Sequence, residues 1–222
     1  IHKLKVPIIE INKKKEIIEI ETKLISVFNE VEKLKFNFGE NPILGEEEIK
    51  KVENISSSVI ELSSADKIKS LSKMDESKIL EFKQYFSLDL KKNTKEKYIE
   101  DSIMKTICGF FNSNGGVLLV GITDRGEISG IDLEIEKFYM SSNDKFLKHF
   151  KNKFKENIGE QNYPLVDYEL VSVNGKNVLS ITCKRSKKEV FDKHKNFYVR
   201  TNPATDKLEG KDLVEYIDKR FR

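Results

Sequence analysis

The stretch "VLLVGI", residues 117–122, constrains the fold more than any other part of the chain. A continuous apolar run of this length, bounded by turn residues, reads as a central strand covered on both faces. What precedes it is helical: "KEKYIEDSIMKTICGFFNS" places Ile99, Ile103, Ile107 and Phe110 on one stripe. Asn114, Gly115 and Gly116 supply the left-handed residues that end that helix. "TDRG" then turns the chain back toward "EISGI", giving a hairpin.

Other segments follow the same logic. "KILEFKQYF" reads as a strand, with Leu80 and Phe82 on one face and Glu81 and Lys83 on the other. A second helix is predicted near "SSNDKFLKHFKNKFKENI". "YELVSV" and "KNVLSITCK" flank Asn174-Gly175, the strongest short-range signal for a hairpin. "FYVRT" adds a strand, and "EGKDLVEYIDKRF" closes the chain with a helix. From Asp75 onward this is the texture of a compact α+β domain, residues 75–222.

The first 74 residues have a different pattern. After a short strand around Pro7, apolar residues fall at 17, 20, 24, 27, 31, 34 and 38, alternating three and four apart. That is the seam of a coiled coil over residues 17–38, which calls for a helical partner or a second copy of the chain; a helix packed on the domain is the plainer alternative. Residues 39–74 read as a linker carrying one helix. The chain begins at Ile1 rather than Met, as a piece of a longer protein would.

Composition excludes several classes. With 35% charged residues and no apolar run near the roughly 20 residues of a membrane span, the chain reads as soluble. The two cysteines, Cys108 and Cys183, lie inside apolar patterns and read as buried thiols, which fits a reducing cytoplasm. Three scattered histidines without Cys/His spacing argue against zinc. A net charge of +3 is too small to establish a nucleic-acid partner, so the distribution of charge decides that question.

Two features bear on chemistry. Glu76 and Glu81 are five apart, an odd offset that places them on opposite faces of an extended strand, ~16 Å apart along it. They share a site only if the chain bends near Asp75 and Ser77. If the strand holding Glu81 pairs beside 117–122, Asp124 in the hairpin turn can converge with Glu81 while Glu76 arrives from the loop. Three carboxylates with open positions suit Mg²⁺ or Mn²⁺ and the chemistry of a metal-dependent nuclease; the plainer reading is acids on solvated faces. The second feature is the stretch 184–200, with seven Lys or Arg against two acids and with Phe191, Phe197 and Tyr198 interleaved. Such a loop can track a phosphate backbone while an aromatic stacks on a base. The glycines at 115, 116 and 126 close a helix or a turn rather than open a helix, so direct nucleotide binding, ATP included, is the lesser expectation.

Together, "ESKILEFK", "FFNSNGGVLLVGITDRGEISGI" and "FYVRTNPAT" resemble the Schlafen AlbA-type domain over residues 75–222. The resemblance implies an α+β fold with a mixed, largely antiparallel sheet, and a nucleic-acid substrate. Some members are endoribonucleases that use two glutamates and an aspartate. Those positions match Glu76, Glu81 and Asp124. Beside such a site Lys83 would stabilise charge on the phosphate, and Lys187, Lys188, Lys195 and Arg200 of the basic stretch would position the backbone. Thr123 stands where many members have another acid. Residues 1–38 are similar to the end of a target-recognition domain and its spacer helix in restriction-modification specificity subunits. The two resemblances together imply a nuclease in a bacterial defence system, or a non-catalytic binding or regulatory module attached to an adenine methylase. The enzymatic form implies that Glu81→Gln folds normally but no longer cleaves.

Overall fold

The computed structural model describes residues 64–222; the coiled-coil seam over 17–38 and most of the linker lie outside them. A four-stranded sheet runs in the order β1-β4-β6-β5, from β1 (Leu80–Lys83), β4 (Gly116–Val120), β5 (Val166–Val173) and β6 (Lys176–Cys183). Strand β1 pairs parallel to β4, and the β4–β6 and β5–β6 pairs are antiparallel. Two antiparallel ribbons complete the strands: β2 (Leu88–Asp89) with β3 (Thr94–Lys95), and β7 (Phe197–Arg200) with β8 (Thr205–Leu208). The helices are α1 (Lys97–Asn112), α2 (Asp132–Tyr139), α3 (Asn143–Ile158) and α4 (Gly210–Phe221). The fold is therefore α+β with a mixed, mostly antiparallel sheet.

Strand β4 is interior, as its unbroken apolar run requires, and its alternation divides two cores. Leu118 and Val120 face the larger core, where Ile103, Ile107 and Phe110 of α1 meet Phe146, Phe150 and Phe154 of α3. The α3 phenylalanines recur every fourth residue and make one helical stripe, each contributing about 1.5–3 kcal/mol by burial. Leu119 faces the second core with Leu80, Phe82, Val171 and Val178. Ile68, from a helical segment over residues 64–71, covers that face and is 2% exposed. Residues 64–222 form one compact unit, so part of the stretch read as linker belongs to it.

The turns follow their residues. Asn174 and Gly175 take φ of 53° and 75°, a two-residue hairpin turn between β5 and β6. Gly115, at φ 75°, closes α1 by donating its N–H to Phe110 O at 2.9 Å. A Cβ there would stand 2.5 Å from Cys183 O, so the backbone is packed against protein on that side. The "TDRG" turn is closed by a Gly126 N–H to Thr123 O bond of 2.8 Å, and the hairpin beyond it is a single Ile122–Ile128 bridge. Both cysteines are buried and unpaired, and burial pushes both thiols up.

Candidate functional site

Strand β1 lies at the sheet edge, and its outward backbone groups are taken by the residues just before it. Glu76 Oε1 accepts the N–H of Phe82 at 2.8 Å, and Ser77 donates its N–H to Leu80 O at 2.9 Å. The chain does bend at Ser77, bringing Glu76 alongside Phe82, but its carboxylate serves as a cover for the strand edge.

Glu81 points the other way, toward the larger core, and both its oxygens are occupied. Oε1 accepts from Lys83 Nζ, and Oε2 accepts from Arg200 Nη1 at 2.8 Å. The Arg200 side chain is 0% exposed. Its Nη1 also donates to Thr205 Oγ1 at 2.9 Å, its Nη2 to Ser77 O at 2.6 Å, and its guanidinium lies 4.9 Å from the centre of the Phe110 ring. The Arg200 backbone N–H donates to Ser113 Oγ at 2.8 Å. Glu81 and Arg200 thus tie the sheet to the β7–β8 ribbon across the end of α1.

Strand β1 does pair beside β4, with Glu81 opposite Leu118. Asp124, however, is six residues past Leu118 along the chain, up to ~20 Å at ~3.3 Å per residue. It stands exposed at the hairpin tip. Among the described residues no group of three or more His, Cys, Asp or Glu side chains is placed to hold a metal ion. A divalent ion on Glu76, Glu81 and Asp124 does not fit the donors as they stand: Glu81 is already neutralised by two cations and Glu76 is engaged by backbone. The glycines offer no phosphate cradle either, since Gly115 and Gly116 abut Cys183 O and the Phe110 ring.

The basic loop divides. Lys187, Lys188 and Lys195 are exposed, whereas Arg200, expected among them, is the buried partner of Glu81. Strand alternation accounts for this only in part: Val199 and Arg200 are both buried at the β7 end, and Tyr198 is half-exposed beside Lys105. The loop is built on buried Asn112, whose side-chain amide donates to Val190 O at 2.8 Å and Tyr198 O at 3.0 Å and accepts from Val190 N at 2.9 Å. Asn112→Ala would leave those groups unpaired, so a loss of about 2 kcal/mol is expected in urea unfolding. Asp192 gathers the N–H groups of His194 and Asn196 at 2.8 Å each, shaping the loop tip, and Phe191 stands 39% exposed beside it.

A second polar constellation was not anticipated from sequence. Glu100, in the first turn of α1, is 3% exposed. Its Oε1 lies 2.8 Å from His149 Nε2 and 3.5 Å from Lys95 Nζ, and its Oε2 lies 3.0 Å from Lys153 Nζ. Burial alone would raise this carboxyl, but the hydrogen bonds and charges of His149 and Lys153 outweigh it and hold the group at about 2. Nearby Glu134, fully buried, accepts the N–H groups of Phe86 and Ser87 at 2.8 Å each; burial raises it despite those bonds. His149 and Lys153 are four apart in the α3 pattern, the one sequence signal that could have placed them on a shared face.

Residues 76–209 match the family model described as Schlafen, AlbA_2. The chain belongs to this family. No curated protein matches it at a significant level. Among solved structures, it is similar to the DIP2311 protein from Corynebacterium diphtheriae, at 18% identity and a TM-score of 0.48, over 73% of this chain. It spans only 32% of that protein. The N-terminal domain of a RecG-related protein from Nitrosomonas europaea is similar at 20% identity and a TM-score of 0.40, over 66% of this chain and 88% of that domain. No helix among the described residues is long and apolar enough to cross a membrane.

Proposed function

We propose that the unit over residues 64–222 is a nucleic-acid-binding module in which Glu76 and Glu81 serve the fold rather than cleavage. The observation that carries this is the occupation of both Glu81 oxygens by Lys83 and Arg200. Drawing Glu81 to a metal would strand a buried guanidinium, a loss of about 3–5 kcal/mol. Binding falls instead to the loop over 184–196. There the exposed Lys187, Lys188 and Lys195 meet phosphates and Phe191 offers a stacking face for an unpaired base, worth about 1–3 kcal/mol.

The test is a gel-shift series with labelled tRNA, single-stranded RNA and duplex DNA, with and without Mn²⁺. Shifted but intact substrates are expected. Metal-dependent cutting that disappears in Glu81→Gln, with that variant still folded, would refute the reading. On duplex DNA, the Lys187→Ala/Lys188→Ala/Lys195→Ala variant should flatten the slope of log affinity against log salt by about 2–3, at about 0.9 for each phosphate no longer neutralised. An unchanged slope would move the interface off this loop.

A further inference from the structure

We propose that Lys95, His149 and Lys153, gathered around the buried carboxylate of Glu100, form a binding site for a phosphate monoester. Three elements deliver these groups: Lys95 from β3, and His149 with Lys153 from α3, while α1 supplies Glu100. None belongs to the opening motif or to the exposed lysines of the 184–196 loop.

Donors are in surplus here. Glu100 has two oxygens, already met by His149 and Lys153 at 2.8 and 3.0 Å. Lys95 Nζ lies 3.0 Å from His149 Nε2 and 3.5 Å from Glu100 Oε1, and its closest acceptor is the Tyr139 hydroxyl at 2.9 Å. A proton on His149 Nε2 serves Glu100 and offers Lys95 nothing. A lone pair there would serve Lys95 and face a carboxylate oxygen. Either way one of the two contacts is unsatisfied, and the cluster lacks an acceptor on the Lys95 side. Glu156, 3.7 Å from Lys153 Nζ, is drawn off by Lys193 at 2.7 Å.

Charge selects the ligand class. Two ammonium groups and the His149 ring against a single carboxylate leave the cluster net positive, and a phosphate monoester carries about −1.5 to −2 at neutral pH with three terminal oxygens to meet the three groups. A phosphodiester, with two free oxygens, offers one acceptor fewer than the three groups gathered here. Groups that touch one carboxylate can also touch one phosphate, which presents oxygens at a similar spacing.

The cluster is also rigid yet accessible. The imidazole is flanked by the rings of Phe86 at 5.9 Å and Tyr139 at 5.4 Å, and Lys95 Nζ lies 4.8 Å above the Tyr139 ring. Even so, the side chains of Lys95, His149 and Lys153 remain 34%, 23% and 22% exposed. Cations held in place before the ligand arrives lose less conformational freedom on binding. Lys193 donates its N–H to Asn157 O at 2.8 Å, placing the tip of the basic loop one helical turn along α3 from Lys153.

Two sources present this chemistry: a free nucleotide, or the phosphorylated 5′ end of a strand. The second rests on the proposed nucleic-acid function and the first does not. The test titrates the chain with inorganic phosphate and with adenosine 5′-monophosphate, following the His149 imidazole resonances. It then compares one single-stranded RNA with a 5′-phosphate and with a 5′-hydroxyl. Expected are a saturable His149 shift below about 10 mM phosphate or nucleotide and about tenfold tighter binding of the phosphorylated strand. Lys153→Gln and, separately, Lys95→Gln should abolish both, with helical circular dichroism unchanged to show that each folds. The Lys187→Ala/Lys188→Ala/Lys195→Ala variant should keep the ratio while lowering both affinities. A His149 shift with equal strand affinities would assign the site to a free nucleotide. A shift with no RNA binding at all would keep the site and refute the nucleic-acid function. No shift with either small probe, together with equal strand affinities, would overturn the site.

Discussion

Glu81→Gln is expected to lower stability by about 3 kcal/mol, the low end of the cost of breaking a buried ion pair. For a unit of this size that is a fall in melting temperature of about 6–12 °C. The loss comes from the partner: Arg200 is 0% exposed, and an amide can accept one hydrogen bond without balancing its charge. Arg200→Met should cost a comparable amount, since it leaves the nearly buried Glu81 with Lys83 alone. The double variant Glu81→Met/Arg200→Met should recover much of the combined loss, because two apolar side chains of similar length leave no stranded charge. A Glu81→Gln protein that melts with the parent would remove the bracing role and restore the catalytic expectation.

The stretch "ESKILEFK" carries its local geometry openly and its long-range partners not at all. Alternation placed Leu80 and Phe82 on one face and Glu81 and Lys83 on the other, and that is how they stand. The central character of β4, the Asn174-Gly175 turn and helices α1, α3 and α4 were legible for the same reason: each is set by neighbours within a few residues. Helix α2 was not, because its eight residues hold only two buried apolar side chains, Ile135 and Tyr139. The β2–β3 and β7–β8 ribbons were also missed in part, since strands of two to four residues carry too little alternation to read.

The site was less legible because its contacts join distant parts of the chain. Arg200 looked like one cation among seven on a basic loop, yet it is 119 residues from Glu81 and bonded to it. Burial at the last residue of β7 decides its role, and burial of a single charged side chain leaves no trace in local pattern. Glu100 is the converse case. It reads as an ordinary acid in the first turn of a helix, where the dipole favours one, and its importance appears only when α3 brings His149 and Lys153 against it.

Glu100 should make the fold sensitive to acid over a defined window. Its folded value of about 2 lies below the ordinary 4.5, so its contribution is complete above about 4.5 and is lost as pH falls toward 2. The shift corresponds to about 3 kcal/mol, of which about 2 kcal/mol should be gone by pH 3. Glu134 acts in the opposite sense: its raised value means that its contribution is full at low pH and declines as pH rises through that value. The two therefore partly cancel in the parent, and the clean measurement is the difference between the parent and Glu100→Gln. In urea titrations stepped from neutral pH to pH 3, that difference should shrink by about 2 kcal/mol. A difference constant across the range would mean that Lys95, His149 and Lys153 do not hold Glu100 ionised, and the charge balance proposed for the phosphate site would fail with it.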